Sequence, residues 1–285
     1  MTSITVVIPT FNRVTLLERT LDSVLAQTLP ANEIIIVDDG SMDNTVSTLK
    51  SRYSEVDLSI IHFIEQENQG VSAARNAGIA AATHEWIALL DSDDVWHEDK
   101  LEKQIQALKN APEYLICHSD EIWIRNGLPV NQMNKHKKTG GYIFQQCLPL
   151  CVISPSAVII HRIIFDEIGL FDETLPACED YDLWLRICSR YPVLYIDEKL
   201  ITKHGGHDDQ LSHKHWGMDR FRIQALNKII SETKLNNSNR DAAVKMLKHK
   251  ISIYLAGAEK HGNTRHVDDF KQLLTKYAQG MDEIL

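Results

Sequence analysis

The chain has 285 residues, 44% of them hydrophobic and 24% charged, with 39 acidic against 30 basic side chains. That length and apolar content suit one large domain, or a domain with an appendage, and exclude a disordered chain. The net charge of −9 argues against a nucleic-acid binder held through phosphates, though not against a nucleotide ligand.

Residues 4–8 form a β-branched run closed by Pro9 and predict a buried strand. Val14, Leu17, Leu21, Val24 and Leu25 recur at helical spacing over 13–27. A second strand over 33–37 ends in Asp38-Asp39-Gly40-Ser41, and a helix over 43–53 follows with Ser41 or Asp43 as its cap. A strand over 58–64, an Ala-rich helix over 71–82, a strand over 85–90 and an amphipathic helix over 100–110 complete four alternations. Apolar strands without in/out alternation are covered on both faces, so the expected fold is an α/β, mainly parallel sheet flanked by helices. In such sheets ligands sit beyond the carboxyl ends of the strands. Thr10, Asp38-Asp39 and Asp91-Ser92-Asp93 all follow strands at that end.

The middle is less regular. Strands are expected over 114–118, 156–161 and 193–196, the last one short, with a turn-rich stretch over 165–175 and a helix over 181–189. Residues 125–141 are polar, carry Lys135, Lys137, Lys138 and Gly140-Gly141, and read as one long mobile loop, a candidate cover for a site. Beyond Ser212, helical patterns over 216–230, 241–261 and 267–278 predict a C-terminal helical extension, either packed on the main domain or mediating self-association. The expected division is a main domain over 1–212 and the extension over 213–285.

Five cysteines, an odd number with no Cys-x-x-Cys pair, fit a reduced cytosolic setting. The N-terminus lacks the basic start and apolar core of a signal peptide, and no window reaches the ~18 apolar residues of a membrane span. Peripheral contact with the inner face of a membrane stays open, as does a homodimer.

The chemistry concentrates in five places. In Ala88-Leu89-Leu90-Asp91-Ser92-Asp93-Asp94 an apolar run breaks into three carboxylates, which a buried strand cannot continue into unpaired. Such acids suit a hard divalent ion shared with a phosphate, or merely cap a helix. Asp38-Asp39 offers an acceptor for a ring N–H such as the uracil imide, or a cap. Residues 68–78 start a helix behind Gly70, a natural anion site with Arg75 as a fork for phosphate or carboxylate, or a tightly packed helix with Arg75 in solvent. Glu179-Asp180-Tyr181-Asp182 crowds acids into a helix start, as dipole compensation or as a general base for a sugar hydroxyl. His204 and His207 flank a glycine pair, as metal ligands or as ordinary surface or core histidines. No Gly-x-Gly-x-x-Gly and no Gly-x-Ser-x-Gly occurs.

Five segments, in order, resemble the family 2 glycosyltransferases of the GT-A fold. They are Val7-Ile8-Pro9-Thr10-Phe11-Asn12-Arg13, Ile36-Val37-Asp38-Asp39-Gly40-Ser41, Gln69-Gly70 through Gly78, Asp91-Ser92-Asp93-Asp94, and Glu179 through Arg186. The resemblance covers roughly residues 1–212. It implies that Thr10 and Asp39 hold the base of a nucleotide-diphosphate sugar, most often a UDP-sugar, with Arg75 supporting the base pocket or the diphosphate. Asp91 and Ser92 would face the ribose or sugar, and Asp93 would bind Mg2+ or Mn2+. Asp180 would be the catalytic base of an inverting transfer to a glycan or other hydroxyl acceptor. His207, and more weakly His204, resembles the late histidine that helps hold the diphosphate or metal. A nucleotidyltransferase would need a Gly- and basic-rich loop after the first strand, where Pro9-Thr10-Phe11-Asn12-Arg13 stands. A non-catalytic binding module would predict a damaged acidic set, and the set is whole. A processive polymer synthase would carry a Gln-x-x-Arg-Trp motif, which is absent. Surface polysaccharide or lipopolysaccharide assembly is the expected setting, in the cytoplasm.

Overall fold

The computed structural model describes all residues except 1, 55–57, 132, 134, 135, 207–215 and 280–285. Its first half alternates β1 (Ile4–Thr10), α1 (Val14–Leu25), β2 (Glu33–Asp38), α2 (Thr45–Arg52), β3 (Ile61–Glu65), α3 (Val71–Ala81) and β4 (Trp86–Leu89). The second half runs β5 (Val95–Trp96), α4 (Lys100–Asn110), β6 (Ile116–Arg125), β7 (Leu128–Val130), α5 (Phe144–Cys147), β8 (Val158–His161), α6 (Arg162–Ile168), α7 (Glu179–Cys188) and β9 (Leu194–Gly205). Three helices follow: α8 (Asp219–Glu232), α9 (Asn237–Lys260) and α10 (Val267–Gln279).

One sheet has the order β3-β2-β1-β4-β8-β6-β9-β5, with β7 paired to β6. β1 to β4 are parallel, as the repeated strand–helix crossovers require. From β8 onward the sheet is mixed: β8 runs antiparallel to β4 and β6, while β9 runs parallel to β6 and antiparallel to β5. The parallel half therefore matches the sequence reading, and the other half departs from parallel order because β8 and β5 run against their neighbours.

Alternate residues of the central strands serve two cores. Val7, Ile35, Val37 and Leu89 face one side with α3, α5 and α7; Val6, Ile8, Ile34, Ile36 and Ala88 face the other with α1 and α4. Helix α3 lies so close to β1 that a Cβ on Gly78 would stand 2.4 Å from Val7 Cγ1, so only glycine fits. The C-terminal helices belong to the first core: Leu226, Ile230, Leu247, Ile251 and Phe270 are buried in one cluster with Trp184 and Leu185 of α7. Lys228 of α8 pairs with Asp172 and with Asp182 of α7.

Two expectations are corrected here. The stretch over 125–141 is not one long loop. β6 runs to Arg125 and turns through Asn126 and Gly127, both at positive φ as a tight hairpin turn needs, into β7. At its other end Lys138 Nζ lies 2.7 Å from Glu121 Oε2, both side chains buried, and His118 Nε2 meets Thr139 O at 2.9 Å. Residues 132, 134 and 135 between these anchors lie outside the described residues. Second, the strand expected over 193–196 extends to Gly205, and α6 occupies part of the stretch expected to be turn-rich.

Among the described residues no helix is long and apolar enough to cross a membrane. All five cysteines are free.

Lys100, at the start of α4, is fully buried, with Nζ 4.0 Å from the centre of the Trp96 ring and 2.6 Å from Gln104 Oε1. Burial lowers its pKa to about 7, from 10.5. The unfolded chain keeps that proton up to its higher pKa, so stability rises with pH between these two values and the cost of charging the buried lysine is complete below the lower one. Lys100→Met should therefore raise stability by about 1–3 kcal/mol at pH 6, a gain that fades toward pH 10. Thermal melts across that pH range check it; a gain independent of pH would mean that the folded lysine titrates as it does in the unfolded chain.

Candidate active site

The crevice at the carboxyl ends of β1, β2 and β4 is built from chain turns. β1 ends in Thr10, whose carbonyl accepts from Asp39 N at 2.9 Å, which fastens the ends of β1 and β2 together. Thr10 is 3% exposed, and its Oγ1 finds no partner among the described residues. A buried hydroxyl left unpaired at the end of a strand is a group available to a ligand.

Asp39 caps a helix, though not the next one. Its carboxylate accepts from Gln69 N (2.9 Å), Gly70 N (2.8 Å) and Gln66 Nε2 (2.8 Å), which pins the entry to α3. Gly40 makes this possible: its φ is +82°, and a Cβ there would meet Asn68 N at 3.0 Å. The carboxylate that lines open space is Asp38, beside a cavity of about 330 Å³ with Ser41, Met42, Asn44, Lys50 and Glu65.

After β4 the chain turns through Asp91-Ser92-Asp93-Asp94. Asp91 and Asp93 are half-buried, while Ser92 and Asp94 are buried. Arg75 of α3 is 4% exposed and spends both terminal nitrogens on carboxylates: Nη2 on Asp91 Oδ1 and Nη1 on Glu179 Oε1, each at 2.7 Å. Burial opposes the charge on Asp91, but the Arg75 and Lys203 cations outweigh it and hold the carboxyl below its ordinary value. The guanidinium thus stands among protein carboxylates. It joins the β4 turn to the start of α7, and so brings Asp180 to the same crevice as Asp91.

Asp93 Oδ2 accepts from Arg13 Nη1 at 3.0 Å, and its carbonyl accepts from Arg19 at 2.9 Å. Burial and then the neighbouring Asp91 charge raise the Asp93 pKa. The second oxygens of Asp91 and Asp93 take no bond from another described residue. Asp94 is structural: its carboxyl accepts from Ser156 Oγ (2.6 Å) and His204 N (3.1 Å), and burial pushes its pKa up to about 8. Ser156 Oγ also accepts from Asp91 N at 3.1 Å.

Asp180 is half-buried at the first turn of α7. Its Oδ1 accepts from Tyr181 N at 2.7 Å, and its Oδ2 from the Cys151 thiol at 3.1 Å. Helix α7 starts after Cys178, which adopts a left-handed backbone, and three acids in its first turn oppose the positive end of the helix dipole.

Sequence reasoning missed Lys203. It lies on β9 beside Trp123 of β6, donates to Ser154 Oγ at 3.2 Å, and faces the acids. Burial disfavours its charge, but Asp94, Glu121, Asp91 and Asp180 together hold the ammonium protonated well above its ordinary pKa. Arg13 and Ser156 were missed as well. Each comes from a segment distant in sequence, so only the alternation of β9 or the basic residue after β1 hinted at them. His204 contributes its backbone to Asp94; His207 lies outside the described residues.

Among the described residues no three His, Cys, Asp or Glu side chains converge on one point as a closed metal cage. Two half-buried carboxylates with unspent oxygens are nevertheless a fitting donor set for Mg2+ or Mn2+, hard cations that complete their shells with water and phosphate oxygens.

The family model described as glycosyl transferase family 2 matches residues 5–169. The chain belongs to glycosyltransferase family 2. An uncharacterized glycosyltransferase of Rickettsia conorii is 33% identical over 205 residues, covering 70% of this chain and 32% of its own length. The amylovoran biosynthesis glycosyltransferase AmsE of Erwinia amylovora is 28% identical, covering 73% of this chain and 77% of its own. This family 2 chain spans only 31–35% of the length of three Rickettsia relatives. Two solved structures share its fold. Residues 1–349 of S. aureus TarS, in complex with UDP-GlcNAc, have a TM-score of 0.65 at 16% identity, over 98% of this chain and 92% of that one. The mannosyltransferase PcManGT of Pyrobaculum calidifontis, in complex with GDP-Man and Mn2+, has a TM-score of 0.63 at 17% identity, over 96% and 84%. The GT-A architecture expected from the resemblance is thus the architecture present, helical C-terminal elements included.

Proposed function

We propose that this chain is a metal-dependent, inverting, hexosyl-type glycosyltransferase that moves a sugar from a nucleotide-diphosphate sugar, UDP-linked by preference, to a hydroxyl of a growing surface glycan. The observation that carries this reading is the Arg75 bridge, which sets Asp91 and the Glu179-Asp180 pair on one crevice. The ligands in the TarS and PcManGT complexes support a nucleotide-sugar donor, and the name of AmsE supports a polysaccharide acceptor.

In this reading the base lies against Thr10 and the Asp38-Asp39 turn, and the ribose and sugar against Asp91 and Ser92. Asp91 and Asp93 would hold Mg2+ or Mn2+, with His207, outside the described residues, as the remaining candidate ligand, and the ion would supply charge to neutralise the departing diphosphate. Arg75 acts from behind, fixing Asp91 against Glu179. Asp180 accepts the proton of the acceptor hydroxyl. That oxygen attacks the anomeric carbon while the bond from that carbon to the phosphate oxygen breaks on the opposite face. The electron pair leaves with the diphosphate, and configuration inverts. Residues 1–212 would form the catalytic unit and 213–285 its brace. Five free cysteines fit the reducing cytoplasm, where the chain would work beside the membrane's inner face.

The test is a thermal-shift panel of UDP, GDP and dTDP, each with and without Mn2+. UDP with Mn2+ is expected to raise the melting temperature, and Asp93→Ala to remove the metal-dependent part. Equal shifts with and without Mn2+ would overturn the metal role. No shift with any nucleotide would overturn the donor site.

A further inference from the structure

The least expected neighbour of Asp180 is a thiol. Cys151 Sγ lies 3.1 Å from Asp180 Oδ2 and also 3.1 Å from the Ile153 carbonyl oxygen. The other four cysteines are buried, whereas Cys151 is half-buried, and it alone among the described thiols bonds the Asp180 carboxylate. Its segment is held rigidly to α7, because Tyr181 Oη donates to Leu148 O at 2.6 Å and the thiols of Cys147 and Cys188 stand 3.7 Å apart. The contact is therefore fixed by the same helix that carries Asp180.

We infer that Cys151 is a positioning residue for the base, a hydrogen-bond donor with two stations that holds Asp180 before and after it takes the acceptor's proton. This rests on the reading of Asp180 as base. With Asp180 ionised, the S–H points to Oδ2 and Tyr181 N holds Oδ1, so neither oxygen turns away from the acceptor. Once Asp180 has gained the proton, the thiol hydrogen rotates to Ile153 O, and Sγ faces the neutral carboxyl as a weak acceptor. No proton leaves the thiol, so the step stays balanced. Burial, reinforced by the Asp180 charge, raises the thiol pKa well above its ordinary value and keeps the S–H a donor at any working pH. An alanine offers no hydrogen at this place, and a serine offers one.

Two measurements on the full chain test this. The first needs no donor sugar. The infrared S–H stretching band of Cys151 is isolated as wild type minus Cys151→Ala. It is expected at lower wavenumber than the bands of the other four thiols, and to move upward in Asp180→Asn. A band that ignores Asp180→Asn overturns the inference. The second follows release of nucleoside diphosphate from UDP-GlcNAc and GDP-mannose with Mn2+. Cys151→Ala should lower kcat about tenfold with donor KM within about twofold, and Cys151→Ser should restore kcat to within about threefold, the scale of one hydrogen bond to a charged group. Equal losses in the alanine and serine variants would show that the side chain only fills space, and the inference falls. An active Asp180→Asn would instead overturn the base itself, so the two failures are told apart by which variant keeps its turnover.

Discussion

Asp180→Asn is expected to lower turnover by about 10²–10⁴-fold, the range general-base catalysis supplies, while leaving nucleotide binding unchanged. The substitution is nearly isosteric. Its amide still accepts from Tyr181 N, and the contact between Cys151 and residue 180 survives as a weaker one. What is lost is the ability to take a proton from the acceptor hydroxyl. Parallel measurements of donor turnover and of the thermal shift given by the nucleotide separate the two effects. A variant with normal turnover would leave Asp180 a helix-start acid and move the search for the base elsewhere in the crevice.

Arg75→Met carries the largest expected loss of stability. The guanidinium is the shared cation of two carboxylates, Asp91 and the buried Glu179. Its removal leaves both acids without their hydrogen-bonded cation in a low-dielectric setting, and breaking a buried pair in this way costs about 3–5 kcal/mol. Arg75→Lys should recover only part of this, because one ammonium cannot present two aligned N–H groups to two acids. The loss also has a pH signature. The Asp91 carboxyl is held below its ordinary value in the folded chain, so its pairing contributes stability above the unfolded pKa, and that contribution is lost as pH falls through the folded value. The gap between wild type and Arg75→Met should narrow below pH 4. Urea titrations at pH 7 and pH 3 give the comparison; a gap of equal size at both would mean that packing over Phe171, 5.1 Å from the guanidinium, is the main contribution of Arg75.

The parallel half of the fold was legible because buried strands write themselves as uninterrupted apolar runs closed by Pro, Asp or Gly. The mixed half was less so. Asp197-Glu198-Lys199 interrupts β9 with charge where its register against β6 is shifted, so the strand reads as ending early. The Asn126-Gly127 turn was a readable signal, hidden inside a polar stretch that looked like one loop. The acids were legible for a physical reason: three carboxylates cannot follow a buried strand without an open crevice or a cation. Their partners were not. Arg13, Ser156 and Lys203 reach the acids from three other segments, and only the sheet order decides that they meet. Arg75 was read as a fork for phosphate or carboxylate, or as facing solvent; carboxylates are what it holds, but nothing local in an Ala-rich helix tells that the two are Asp91 and Glu179.

The enclosure of α7 has a consequence for motion. Its Leu183, Trp184 and Leu185 are all 1% exposed or less, in the core that α8 to α10 complete. A helix walled in on both sides cannot fray, and its amides meet solvent only when that core opens, at nearly the free energy of global unfolding. Asp180, the proposed base, is thereby on the still part of the crevice. If the proposed donor is bound and its nucleotide released there, the motion belongs to the opposite wall, where Asp91 and Asp93 stand on a turn and are half-buried.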